Sequence, residues 1–558
     1  MGRASFADRL FLTRPATVLQ ILLATTPFLV IPVLHLASAP ETATGFFHEE
    51  MPYYAANGRA AFERGNGWAY SNPYDPDPAA PAIYFHWLLW LIGSAITRWN
   101  CDPGQLNLVL TLLSAPVFSA MTWRLVSYRT TEHRWRSLNF LLAMTGGGLL
   151  VIGAFAARMT GSQPASASLL EFDPGQGLWF LNWGRNSLFP TEAIYHCLVV
   201  ACWLSELRDK PYRATLFCLL LATTHPWSGL ELLLTMNAWR VWNLLKQPGR
   251  STIRLFAVSA TMLALFLAYY KWWLPGFEHH AQLQKVWELD WSLSTRSAIL
   301  AYSLVCIPAV IRSMQSQTFS RTEQFLAIAL LVATGLVFHD RFIRPVQPLH
   351  FTRGYIWLPL FLLGLPVLEK AWNWLADRKI RQIGIAAIIL LMSVDNLIFS
   401  YLHAGFQFRQ ERGYHLTAGD RAILRHLHQY HAKSVVLSES ETLNYLMPAY
   451  AGVRPWMGHP FNTPGFQTRK QVLRGLLDRG AHSFPVIPDD VDVFLTQRGT
   501  DRRTPSLTAE WTEMDSGNGE WQVWVRIRQL KTDPETTEAG NGRQSVSLQE
   551  PAQTVSGK

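Results

Sequence analysis

Charge is scarce in this chain. Only 16% of its 558 residues are Asp, Glu, Lys or Arg, where soluble globular domains carry about 25%. Cysteine is scarce too. The five are Cys101, Cys197, Cys202, Cys218 and Cys306, four of them in or beside apolar runs and none after residue 306. That spacing excludes a readable disulfide framework or cysteine-ligated zinc site. No Gly-rich phosphate loop follows a strand between the basic gaps, so nothing points to a nucleotide-sugar site. The first apolar run lacks a small-residue cleavage site, and reads as a retained helix.

What is present is apolar. Hydrophobic residues make up 49% of the chain, yet the mean hydropathy is only +0.07. Long apolar runs must therefore alternate with polar segments, as in a polytopic membrane protein. Twenty-three tryptophans fit the membrane interface. The net charge of +9 does not indicate nucleic acid, because the cations lie between apolar runs and form no single patch.

Runs of spanning length are expected at 16–38, 105–126, 137–157, 190–207, 212–229, 230–245, 254–274, 296–313, 322–339, 354–369 and 382–401. Every second gap is basic: Arg3, Arg9 and Arg14; Arg124 to Arg136; Arg208 to Arg213; Lys246 to Arg254; Arg312 and Arg321; Lys370 to Arg381. The positive-inside rule then gives eleven spans with the N-terminus inside and the C-terminus outside. The run at 83–99 would invert that pattern if it crossed, so it reads as an interfacial helix. The expected fold is an α-helical polytopic membrane domain over 1–401 with a long external loop at 39–104. A small extracytoplasmic α/β domain over 402–530 and a disordered tail over 531–558 follow. Within 402–530, helices are expected near 418–431, 441–447 and 465–479, and strands at KSVVLSE, VDVFLTQ and EWQVWVRI.

Candidate chemistry gathers on the external side. Glu49 and Glu50 follow the first span, within HEEMPYYA, beside His48 and Tyr53. Asp75 and Asp77 follow in SNPYDPDP. An acidic pair alone most simply solvates a loop; held near headgroup depth it can serve as general base or metal ligand. The loop EFDPGQGLWFLNWGRNSLFPTE adds Glu171, Asp173 and Arg185, and His225 ends a span in TTHPWSG. The gap HDRFIRPVQPLHFTR places His339, Arg341, Arg344, His350 and Arg353 where cations are normally rare. Arg donates paired hydrogen bonds to phosphate. These residues suit a lipid-phosphate donor and a polar acceptor.

HEEMPYYA after the first span, the segment PAIYFHWLLWLIG, the HPWSG span end and GVRPWMGHPFNTPGFQTRK (452–470) resemble GT-C type membrane glycosyltransferases, in particular bacterial members with a C-terminal extracytoplasmic domain. The resemblance covers roughly 16–530. It implies a polyprenyl- or dolichyl-phosphate-linked sugar donor, inversion at the anomeric carbon, and a glycan, lipid or protein acceptor outside the cytoplasm. It implies the cytoplasmic membrane as location. It gives Glu49 or Glu50 the role of base or metal ligand, and Arg341, Arg344 or Arg353 that of phosphate ligand. Some members use a divalent metal ion, Mg or Mn, and others none. The family often has Asp-Glu where this chain has Glu-Glu. Two other classes meet the same composition: a lipid-linked glycan polymerase or ligase of another fold, and a transporter or flippase. The latter would call for internal repeats, and none is evident. Glu231 and Asp395 are the clearest acids inside the spans.

Overall fold

The computed structural model describes residues 15–315, 318–376, 379–430, 434–478, 487–498, 510–514 and 519–527. Arg3, Arg9, Arg14 and the tail 531–558 lie outside the described residues.

The chain is mostly helical. It runs α1 (Pro15–Ser38), α2 (Met51–Glu63), α3 (Trp87–Arg98), α4 (Pro103–Arg129), α5 (Arg136–Thr145), α6 (Leu150–Met159), α7 (Gly184–Leu188), α8 (Pro190–Leu207) and α9 (Pro211–Ala222). It continues α10 (Pro226–Lys246), α11 (Arg250–Ala268), α12 (Glu278–Trp287), α13 (Thr295–Gln315), α14 (Arg321–Val337), α15 (Trp357–Ala376) and α16 (Lys379–Phe408). Five segments are long and apolar enough to cross a membrane: Pro15–Ser38, Pro103–Arg129, Arg250–Gly276, Thr295–Gln315 and Gln382–Phe408. A sixth follows if the pair His133–Thr145 and Leu150–Met159, bent by 57°, is one crossing. The remaining expected spans also fall on helices. However, α14 is only 17 residues long, and α8 and α10 carry Glu192, Glu206, Glu231 and Arg240.

Two expected runs are broken, each for a local reason. The run at 137–157 breaks at Gly146–Gly148. Asp395 of α16 accepts from Gly148 N (2.8 Å), Leu150 N (3.1 Å) and Val151 N (3.0 Å). The acid thus satisfies the open donors at the start of α6. The run at 212–229 breaks before Pro226. Proline at the first helical turn forces the preceding His225 into an extended conformation (φ −138°), and the His225 ring accepts from Ser228 N. α16 extends to Phe408, past the expected end at 401.

The helical ends away from His225 are tied by ion pairs. Glu206 meets Arg240 at 2.6 Å, and Glu323 meets Arg129 and Arg312 at 2.8 Å each. At the other end, α2 and α3 press together through glycines: a Cβ on Gly93 would lie 1.9 Å from the Gly58 carbonyl oxygen. α3 has twelve residues, fewer than a crossing needs.

After α16 come α17 (Ala418–Leu427), β1 (Val435–Ser438), α18 (Glu441–Tyr450), β2 (Arg454–Pro455), α19 (Phe466–Asp478), β3 (Val493–Gln497), β4 (Trp511–Met514) and β5 (Trp521–Arg526). The sheet order is β2-β1-β3-β5-β4. β1 is parallel to β2 and β3, while β5 is antiparallel to β3 and β4. β2 and β4 are additions to the expected strands. β2 has only two residues, and β4 is half exposed, so neither shows a clear alternation.

Candidate functional site

The segment before α2 is fixed on three sides. Gly45 N donates to His35 Nε2 (3.3 Å), Gln407 Nε2 to the Phe47 carbonyl (2.8 Å), and the Tyr414 hydroxyl to the Glu49 carbonyl (3.1 Å). Glu50 then occupies the N-cap of α2, but its side chain makes no capping bond. Its carboxylate meets Arg185 Nη2, 3.1 Å away. The Glu50 side chain keeps 45% of its surface accessible although protein surrounds it closely.

Arg185 is carried by a loop that Asp173 organises. The buried Asp173 carboxylate accepts from Gly175 N (2.8 Å), Trp179 N (3.0 Å) and Phe180 N (2.9 Å). Trp179 is thereby set 5.1 Å from the Arg185 guanidinium and 5.4 Å from that of Arg353. Phe189 lies 4.4 Å from Arg185 on α8's approach. Cations over aromatic faces are held electrostatically.

Glu192 joins the two arginines. It sits in the first turn of α8, behind Pro190, where an acid is favoured by the helix N-terminus. It is fully buried. Its Oε1 accepts from Arg185 Nε (3.2 Å) and from Arg353 Nη1 (2.6 Å). Arg353 Nη1 also lies 3.0 Å from His225 Nε2, and Nη2 donates to His350 Nδ1 (2.5 Å). Gly354 follows with φ +84°, a left-handed turn that glycine adopts freely. It lets the chain leave the site and enter α15. Arg353 Nε and Glu192 Oε2 are among the buried polar atoms left unpartnered here.

Aromatic rings pack around this group. His350 stacks on Trp291 (5.7 Å, 10°) and Trp227 (5.0 Å, 29°). From the C-terminal side, His459 packs 5.1 Å from Tyr53 and 5.5 Å from Tyr445.

The charges set one another. Burial alone would raise the Glu50 carboxyl. The Arg185 charge outweighs it and holds Glu50 below its ordinary 4.5. Burial would likewise weaken Arg185, but Glu50 and Glu192 raise it. Burial pushes the His48 imidazole down to about 3 and His459 to about 4. His350 falls well below the ordinary range, through burial and then the Arg353 charge. These rings are neutral, so near pH 7 the site holds two carboxylates and two guanidiniums.

The expected residues divide. Glu50, Arg185, His225, His350 and Arg353 form one connected group. His48 supports it through the bond from Glu50 N (3.3 Å) and its packing on Phe189, and Tyr53 borders it. Glu49 is exposed and turned away. Asp75 lies elsewhere, bonded to His279 Nδ1 at 2.8 Å beside a separate polar cavity of about 750 Å3. His339 ties its own loop, accepting from Val346 N (3.0 Å). Arg341 is exposed and reaches Thr295 (3.3 Å), and the exposed Arg344 pairs with Glu288 (2.5 Å). The segment 339–353 thus contributes Arg353 and His350 to the group, and neither of its other two arginines. Sequence reasoning does not single out Glu192 or Trp179. The Phe-Pro-Thr-Glu start of α8 was the available signal for Glu192.

The donor set does not suit a divalent ion. Glu50 is opposed by a guanidinium, and no group of three His, Cys, Asp or Glu able to hold a metal forms among the described residues. No protein-family model matches the chain, and no curated protein is significantly similar to it.

Proposed function

We propose that the chain transfers a sugar from a polyprenyl-phosphate-linked donor to an acceptor outside the cytoplasm, as the GT-C resemblance implies. One observation carries the reading. A half-accessible carboxylate, Glu50, stands 3.1 Å from Arg185, which Glu192 couples to the buried Arg353. In this reading the donor phosphate competes with Glu50 for Arg185. Its arrival frees the carboxylate to accept a proton. The acceptor oxygen attacks the anomeric carbon, the carbon–oxygen bond to the phosphate breaks, and the lipid phosphate leaves with the electron pair. Glu50 takes the acceptor's proton, and the arginines stabilise the leaving charge. No step is routed through a metal.

The reading sets the Glu50 end outside and the opposite end in the cytoplasm of the inner membrane, with eleven crossings. It draws support from the basic residues. Arg124, Arg129, Arg208, Lys210, Arg213, Arg312 and Arg321 all sit at helix ends away from Glu50, as the positive-inside rule asks. The β-sheet region then lies outside, against the acidic loop.

The test is mass spectrometry of lipids co-purifying with the native chain and with Glu50→Gln. A polyprenyl-phosphate sugar enriched in the variant is expected. Its absence from both, relative to an unrelated membrane protein, would overturn the reading.

A further inference from the structure

A groove runs along the surface of the helical domain between α4 and α8. α4 and α8 start at the same end. Asn107 of α4 donates to the Gly45 carbonyl (3.0 Å) near the Glu50 segment, and α8 begins beside Glu192. They finish together, where the Tyr128 hydroxyl donates to the Leu207 carbonyl (2.8 Å). Between them runs an open groove of about 600 Å3.

The walls follow from the sequence. On α4 they are Leu110, Leu113, Ser114, Val117, Met121 and Arg124. These positions recur at three- and four-residue steps, one face of a helix. α8 repeats the pattern with Ile194, Leu198, Ala201, Ser205 and Arg208. Such facing stripes normally interlock. Here Ser114, Ala201 and Ser205 are too small to fill the space. Leu113 and Val117 stay 61% and 52% exposed.

The groove is apolar along its length and basic at one end. Arg124, Arg208, Lys210 and Arg213 surround the mouth, and no acid lines it. None of these four makes an ion pair among the described residues. The acids nearby are committed elsewhere: Glu206 to Arg240, Glu323 to Arg129 and Arg312, and Asp209 to Arg321. Leu110 to Arg124 measures roughly 21 Å along the helix, enough for the chain of a lipid from one leaflet of a bilayer about 30 Å thick in its hydrocarbon.

We infer that this groove is a binding site for an anionic phospholipid of the leaflet opposite Glu50. One acyl chain lies between the α4 and α8 stripes, and the phosphodiester meets the four cations. Basic pockets between membrane helices recognise such headgroups. The inference needs the chain to be in a membrane but not the transfer reaction.

The experiment is native mass spectrometry of the full chain, equilibrated with equal amounts of phosphatidylglycerol and phosphatidylcholine of matched acyl chains. Preferential retention of one phosphatidylglycerol is expected. Arg208→Gln with Arg213→Gln lowers that preference, by roughly fivefold for each cation removed. Ala201→Trp, which fills the groove and leaves the charges, also abolishes retention. Arg341→Gln, which removes an exposed cation at the other end, leaves it unchanged. Equal retention of both lipids by the native chain would overturn the site. So would insensitivity to the charge variant or to Ala201→Trp. Preference for added polyprenyl phosphate over phosphatidylglycerol would overturn the assignment of the occupant.

Discussion

Arg353 reaches the buried Glu192 at 2.6 Å, on the same oxygen that Arg185 approaches at 3.2 Å. One carboxylate therefore keeps two guanidiniums side by side. Removing its charge leaves Arg353 without a carboxylate and Arg185 with Glu50 alone, and the two guanidiniums repel. Breaking a buried ion pair by deleting one partner typically costs about 3–5 kcal/mol. Glu192→Gln is expected to lower the melting temperature in detergent and to abolish lipid-donor binding. Arg353→Lys is not expected to substitute for arginine, since an ammonium lacks the fork that meets Glu192, His225 and His350 together. A Glu192→Gln protein with unchanged melting would contradict the central place given to this pair.

Glu50 and Glu49 are adjacent and are expected to differ. Glu50 faces Arg185, while Glu49 is exposed and held through its carbonyl. Glu50→Gln keeps the shape and removes the base, so turnover falls by about 10² to 10⁴ with melting little changed. Glu49→Gln keeps near-native turnover. Transfer assays with both variants separate the two roles, and equal loss in each would refute the assignment.

Much of the architecture was legible because it is local. The segments VVLS, VFLTQ and WQVWVR form strands where alternation and β-branched residues place them. The Glu49–Glu50 pair and the arginines of 339–353 are visible in the sequence, and the fold joins Glu50 and Arg353 through Arg185 and Glu192. The pairing did not show. Glu192 and Arg353 are 161 positions apart, and no local period reports a contact of that range. Arg341 and Arg344 look identical to Arg353 as residue types. Only the fold turns Arg353 inward, past a left-handed Gly354, and leaves the other two in solvent. The break before Pro226 was readable in hindsight, because a residue before proline avoids the helical region. Hydropathy alone ran through it.

The pH dependence follows from the same charges. Glu50 is held below 4.5. A depressed carboxyl contributes stability that is complete above its unfolded value and is lost as the pH falls through its folded one. The Glu50–Arg185 pair should thus persist from pH 8 down to 5 and weaken only below 4.5. His48 and His459, at about 3 and about 4, add no ionisation above pH 5. The acid side of the kcat/KM profile is expected to be flat between pH 8 and 5. A limb centred near 6.5 would mean that an imidazole at the site titrates and that Glu50 does not act alone.

Gly93 tests whether the helix bearing Glu50 is aligned from a distance. α2 carries Glu50 at its start and meets α3 through Gly58 and Gly93. A Cβ on Gly93 would fall 1.9 Å from the Gly58 oxygen and 2.2 Å from its carbonyl carbon, both backbone atoms that cannot swing aside. Helix propensity and packing predict opposite signs here. Replacing a helical glycine by alanine favours the helix by about 1 kcal/mol. Forcing a methyl into closed packing costs about 1–3 kcal/mol. With backbone as the obstacle, packing should win, so Gly93→Ala is expected to lower the melting temperature. It should also shift α2 and reduce turnover, though Gly58 is roughly 12 Å along the helix from Glu50. Gly67→Ala in the neighbouring loop is the control, since no atom lies within 4 Å of its Cβ position. Its left-handed φ of +83° costs some stability, and its backbone bonds to Ala61 (2.9 Å) and Trp90 (2.8 Å) without crowding the Gly58–Gly93 approach, so turnover should hold. A stabilised Gly93→Ala with full activity would show that the two helices can part without disturbing the carboxylate.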